Sequence, residues 1–237
     1  MIRKKITTFR AVLIFSVFTA YFFLLLFTLL PFLKSNLTVN PAMYWFITGY
    51  FLFIPVFTCA LLMTKVEGNR GPGQIIKALN IQTFSGKDWL YSITGLILVF
   101  VFTGLIFGVS FLLTKYFNFR PLTTTPWFME MHPFQGIEKL LLLVWLPMFF
   151  FNIVGEELLW RGYIQSRLQG KYSWLLCSLL WLMFHLSFGF DLIIMLVPVM
   201  IIIPYVFHKT NNSLTGIFIH GLYNGPIFVA VALGIIK

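Results

Sequence analysis

Glu156 and Glu157 stand side by side at the end of the apolar run Leu140–Gly155, directly before Leu158–Leu159–Trp160–Arg161. His185, His220 and Asn224 also lie inside apolar runs, whereas His132 and His208 fall in loops. A carboxylate and a neutral imidazole can jointly hold and deprotonate a water, and a second imidazole with an amide N–H can donate to the oxyanion of an attacked carbonyl. Glu156, His185, His220 and Asn224 supply one of each. The matching reaction is peptide-bond hydrolysis in a cavity within a membrane. The same residues allow a second chemistry: Glu156, His185 and His220 could form a two-His, one-Glu zinc site with water in the fourth position. The H-E-x-x-H helix motif and the G-x-S-x-G serine elbow are both absent. Asp88 and Asp191 sit at the ends of apolar runs, so no pair of intramembrane aspartates is available.

Each group also has a plainer reading. Glu157 and Arg161 are spaced i, i+4, with the glutamate nearer the N-terminus, the favourable order for an intrahelical ion pair. Glu156 lies about 100° round the same helix and points elsewhere, with no partner close in sequence. Trp181 is four residues before His185 and can pack on it. His220 and Asn224 share one helical face and could join helices by hydrogen bonds, while Gly221 and Gly225 form G-x-x-x-G on the neighbouring face. Several buried polar groups on three different runs weigh more than any one, because each must be satisfied by something.

The elements that must position these groups follow from composition. Of 237 residues, 59% are hydrophobic and 10% charged, against about 45–50% and about 25% in soluble domains. A soluble globular domain and a disordered chain are excluded. The apolar runs are long and continuous, so the expected class is all-α: a polytopic helical membrane protein. Seven spans are expected, at Ala11–Leu33, Ala42–Thr64, Trp89–Thr114, Leu140–Gly155, Tyr172–Gly189, Leu192–Phe207 and Leu214–Ile236, or eight if a tilted or re-entrant segment is added. The fourth is expected to continue helically through Glu156 and Glu157 to about Arg167. Gly68–Gln74 and Asn118–Gln135 read as loops. Residues 1–237 form one integral membrane domain, with N-terminal helices and loops over 1–139 and a motif-bearing core over 140–237. Cys59 and Cys177 lie inside apolar runs and read as small buried hydrophobes, not as a disulfide or a zinc cluster.

The net charge of +10 would suggest nucleic acid in a soluble protein. Here the basic residues fall between apolar runs, where they set orientation, and no nucleic-acid partner is expected. With the N-terminus in the cytoplasm, the inner segments hold Arg3, Lys4, Lys5, Arg10, Lys65, Arg70, Lys77, Lys87, Arg161, Arg167, Lys171 and Lys209. The outer segments hold Lys34, Lys115, Arg120, Lys139 and Lys237. This asymmetry predicts a cytoplasmic N-terminus.

Three motifs in order carry a family resemblance. Glu156–Arg161 matches E-E-x-x-x-R and continues as Gly162–Tyr163; Trp181 to His185 has the spacing of F-x-x-x-H; His220 to Asn224 matches H-x-x-x-N. Together they resemble the CPBP family, which comprises CAAX prenyl proteases and bacteriocin-processing enzymes and is also called the Abi family. The one departure is Trp181, where the family pattern has Phe. The resemblance implies an all-helical membrane core around a conical cavity open to the cytosol. It implies Glu156 as the base activating water with help from His185, and His220 and Asn224 as the oxyanion site. Glu157, Arg161 and Trp181 would be structural or positioning residues. No cofactor is then required, with the zinc site of Glu156, His185 and His220 as the other mechanism. The expected partners are a peptide or membrane-protein substrate and the lipid bilayer. The E-E-L-L-W-R-G-Y wording resembles bacterial members, so the expected location is the bacterial plasma membrane and the expected roles are CAAX-protease-like cleavage, peptide processing or self-immunity.

Two rival functions use the same chain differently. A non-catalytic scaffold or immunity protein would bind a partner through the cavity, yet has no need of a costly unpaired Glu156. A transporter would string ionisable groups along a path or repeat its halves, and neither pattern occurs.

Overall fold

The computed structural model describes residues 3–235. Among them lie eight helical segments, with no strand beyond a single bridge between Ile6 and Leu168. We label them α1 (Thr8–Asn36), α2 (Pro41–Val66), α3 (Pro72–Ala78), α4 (Gly86–Phe117), α5 (Gly136–Arg167), α6 (Ser173–Phe188), α7 (Phe190–Thr210) and α8 (Ser213–Ala232). The protein is all-α and integral to the membrane: six of these helices are long and apolar enough to cross a bilayer. All seven expected apolar runs are helical, but α6 is shorter than the others, so six full-length crossings replace seven. The eighth segment allowed by the sequence does not occur as a span among the described residues. Ile236, the expected last residue of the seventh run, and Lys237, one of the expected outer charges, lie outside the described residues.

Local chemistry sets the boundaries. Asn40 caps α2 by accepting from the Ala42 N–H at 3.0 Å, with Pro41 in the first turn. Ser85 and Asp88 cap α4 reciprocally: the Ser85 N–H donates to Asp88 at 2.8 Å and the Asp88 N–H to Ser85 Oγ at 3.2 Å. Asn118 and Asn211 end α4 and α7 in left-handed conformation at φ 56° and 51°, which asparagine tolerates better than most residues. Gly68–Gln74 is not wholly a loop. Helix α3 starts at Pro72, because proline fits the first turn and Gln74 accepts from the Arg70 and Gly71 N–H groups at 3.1 and 3.2 Å. The stretch Asn118–Gln135 carries no helix.

In α5 the regular helix Leu141–Glu156 passes into a π-helical stretch, Glu157–Ile164, and then a short 3-10 turn to Arg167. The expected continuation to Arg167 is therefore present with altered pitch. Single-turn widenings of this kind gather at functional sites. Trp160, on this stretch, is fully buried; it stacks on Phe15 at 4.0 Å and meets Phe184 at 5.5 Å, locking α5 between α1 and α6. Gly162 lets α5 approach the α3–α4 turn, since a Cβ there would lie 2.7 Å from the Leu79 carbonyl oxygen.

The two ends of the bundle are tied differently. At the end bearing the start of α1, the Ile6 N–H donates to Arg167 O at 3.1 Å, and the Ser213 N–H donates to Asn80 O at 2.8 Å. There Arg167 forms a buried ion pair with Glu67 at 2.7 Å and donates to the Gly162 and Tyr163 carbonyls, closing the end of α5. At the opposite end, the 118–135 loop folds over the helices. Lys34 pairs with Glu130, Arg120 holds Asp191 through two bonds of 2.7 and 2.9 Å, and Trp127 donates to Ser187 O at 2.7 Å.

Removing one partner of a buried pair leaves an uncompensated charge, at a cost of about 3–5 kcal/mol. Arg167→Met is expected to lower the thermal midpoint in detergent markedly, and adding Glu67→Gln to recover part of the loss; thermal unfolding of the two variants beside the parent checks both.

Candidate active site

The site begins with two carboxylates that leave one helix in different directions. Both glutamates are buried. Glu156 accepts a hydrogen bond from Trp181 Nε1 at 2.6 Å, across from α5 to α6. Glu157 turns to α8 instead, placing Oε1 3.0 Å from His220 Nδ1 and Oε2 3.3 Å from Arg161 Nε. The intrahelical pair expected from the i, i+4 spacing is present, and His220 extends it across helices. Gly216 makes this approach to α8 possible: a Cβ there would collide with the Glu157 carboxylate.

Trp181 touches Glu156, Arg161, His185 and His220. Its indole N–H holds Glu156, and its ring lies 3.5 Å under the Arg161 guanidinium. The ring also meets His220 at 5.3 Å and His185 at 5.7 Å, edge to face. Trp181 was expected to pack on His185 or to act as a structural or positioning residue; the structure shows the means, a donor that a phenylalanine cannot supply.

His185 ends the regular part of α6, where the backbone turns toward Gly189 at φ 91°. Its Nδ1 lies 3.0 Å from the Trp181 carbonyl oxygen. A carbonyl only accepts, so Nδ1 carries the proton, and in the neutral ring Nε2 is left as an acceptor.

Glu156, His185, His220 and Asn224 all line one cavity of about 310 Å³, together with Trp181. The four residues singled out for chemistry are thus brought together, while Glu157 and Arg161 stand behind the wall. Sequence reasoning missed Asn152, which lines the cavity one turn before Glu156 and has a buried side-chain oxygen without a hydrogen-bond partner. An amide in an apolar run, four residues from a glutamate, was the available signal. It also missed Thr103 and Tyr223, whose hydroxyls lie 3.4 Å apart on the cavity wall. A larger apolar groove of about 690 Å³ runs between α4 and α7. It holds none of these groups.

The donor set was also tested as a metal site. Among the described residues, no group of three His, Cys, Asp or Glu is placed to hold a metal ion. Trp181 occupies one oxygen of Glu156, and Glu157 occupies Nδ1 of His220. These contacts leave Glu156 Oε1 and His220 Nε2 free; the three groups are not gathered as a metal site in these positions, and no step is derived through zinc.

Comparison with family models supports the resemblance. Residues 138–225 match the type II CAAX prenyl endopeptidase Rce1-like family. The matched segment runs from the start of α5 past Asn224 and contains all three motifs. The match covers 88 of the 237 residues, and over that segment the chain is similar to a family of endopeptidases. Comparison with curated proteins and with solved structures gives no match.

Trp181→Phe removes one donor from a buried carboxylate and keeps the aromatic face, at an expected cost of about 1–3 kcal/mol. Trp181→Leu also loses the surface under Arg161 and is expected to cost more. Gly216→Ala is expected to destabilise at least as much as Trp181→Phe by displacing Glu157. Thermal unfolding of the three purified variants ranks them.

Proposed function

We propose that this chain hydrolyses a peptide bond inside the membrane, with Glu156 as the general base. The observation that supports this is the meeting of Glu156, His185, His220 and Asn224 on the wall of one cavity. Water held between the Glu156 carboxylate and His185 Nε2 gives its proton to Glu156, and its oxygen forms a bond to the carbonyl carbon. The carbonyl electron pair moves onto oxygen, where the Asn224 amide and the His220 ring donate hydrogen bonds. The Glu157 carboxylate at His220 Nδ1 holds the ring in place, and the ring donates to the oxyanion when Nε2 carries a proton. Collapse of the tetrahedral intermediate breaks the C–N bond, and the leaving amine takes the proton from Glu156. Asn152 adds a polar group beside this point and suits a substrate backbone amide.

The cavity walls include Trp45, Trp145, Met148, Phe149 and Phe188, which suit an apolar peptide or membrane-protein segment. A prenylated peptide belongs to the same class of occupant. The motif wording favours the bacterial plasma membrane, with peptide processing or self-immunity as the physiological setting.

The test compares protein and peptide termini in cells carrying the parent chain or Glu156→Ala at matched membrane abundance. Defined new termini should be present with the parent and vanish with the variant. On a substrate so identified, Glu156→Gln should lower the rate about 10²–10⁴-fold, and Asn224→Ala about 10²–10³-fold. Unchanged termini, with a deletion phenotype still rescued by Glu156→Ala, would assign the cavity to binding without cleavage.

A further inference from the structure

Two expectations carried by this chain exclude one another in its structure. The basic residues predict which end of the bundle is cytoplasmic. The family resemblance predicts a cavity open to the cytosol. The structure puts the basic end and the cavity mouth on opposite sides.

The basic end gathers the starts of α1, α4, α6 and α8 with the ends of α2, α5 and α7. Lys4, Lys5, Lys65, Arg70, Lys77 and Lys87 are all exposed there. At the other end, among the described residues, the basic side chains are Lys34, Lys115, Arg120 and Lys139, and two of them are neutralised by Glu130 and Asp191. Lysine and arginine near the ends of spans remain preferentially in the cytoplasm. The counted asymmetry does not depend on which residue begins the chain.

The cavity has no lining residue from the basic end. Its floor is Glu156, and beyond it Glu157, Leu159, Trp160 and Arg161 are almost wholly buried. From Glu156 the π-helical and 3-10 turns continue for eleven residues to Arg167, and that packed stretch separates the floor from the basic face. In the other direction the cavity runs along α5 past Asn152, Phe149 and Trp145. It ends under Thr124, Thr125, Pro126, Met129 and Met131 of the 118–135 loop. The mouth therefore lies at the weakly charged end.

We propose that the cavity opens to the non-cytoplasmic side of the membrane and receives an extracytoplasmic substrate: an apolar peptide, or the outward-facing part of a membrane protein. This rests on the reading of the cavity as the substrate site. The basic face and the sealed floor place the catalytic carboxylate out of reach of a segment offered from the cytosol. The threonines and methionines of the 118–135 loop are then the first side chains that an arriving peptide meets.

The test uses the unmodified chain. Intact spheroplasts are treated with a membrane-impermeant sulfonated succinimidyl ester, and lysine modification is read by mass spectrometry before and after the membrane is opened. Lys115 and Lys139 should be modified at least ten-fold more than Lys65, Lys77 and Lys87 before opening, and the difference should disappear afterwards. The reverse pattern overturns the proposal and gives the cavity to the cytosol. Equal modification before opening also overturns it, since the chain then has no committed face. A second arm follows Thr125→Cys with an impermeant maleimide: reaction in intact spheroplasts supports the proposal, and reaction only after opening overturns it. Neither readout needs catalysis. Loss of the expected new termini with an outward mouth would fail the protease reading alone, whereas Glu156-dependent termini with an inward mouth would fail the access face alone.

Discussion

Two adjacent carboxylates inside an apolar helix must each be satisfied, and neighbouring positions on a helix cannot share one partner. This constraint organises the bundle. Glu157 is met by Arg161 from its own helix and by His220 from α8. Glu156 is met by Trp181 from α6. Those contacts bring α5, α6 and α8 to a common point and fix their rotation about their axes. The guanidinium of Arg161, fully enclosed, is balanced by one carboxylate and one indole face. A charge so deep in protein is tolerated only with partners of this kind. The cavity is what remains on the open side of Glu156 once its neighbour has been packed away.

Much of this was legible in the sequence, for identifiable reasons. Continuous apolar runs specify helices in lipid because every backbone group must be paired within its own segment. Among the described residues, each of the seven runs is therefore helical over most of its length. The divergence of Glu156 and Glu157, and the pairing of Glu157 with Arg161, follow from helical periodicity, which a local sequence contains. The contacts of Glu157 with His220 and of Glu156 with Trp181 join residues far apart in the chain, and no spacing rule reaches them. The direction of the mouth was illegible for a similar reason. It depends on where the 118–135 loop settles, and that loop is held by scattered contacts to α1, α6 and α7. The start of α3 lies inside an apparent loop because Pro72 and three glycines read as breakers, when proline in a first turn promotes a helix.

The helices carry little amphipathic signal, and this too is physical. In α4, most residues face away from the protein, and a helix surrounded by hydrocarbon has no polar side to display. Information about packing then resides in small residues and in isolated polar ones. Gly155 sits against the Phe53 carbonyl and Phe57, Gly162 against Leu79, and Gly216 against Glu157. These positions specify helix contacts more sharply than the many phenylalanines around them.

Helix α6 turns back before it has the length of a full crossing, and Gly189 redirects the chain into α7. A helix that stops early leaves carbonyl groups with no further turn to receive them, at a depth where water is scarce. Trp127, reaching in from the 118–135 loop, supplies a donor to one of these, the carbonyl of Ser187. The loop thus serves as a surrogate for a missing turn of helix. Surface connections usually drift freely in length, but this one is pinned at a measured distance from α4 and from α6. Insertions here would pull an indole off a stranded carbonyl, so the segment that looks most dispensable is held to the register of the membrane core.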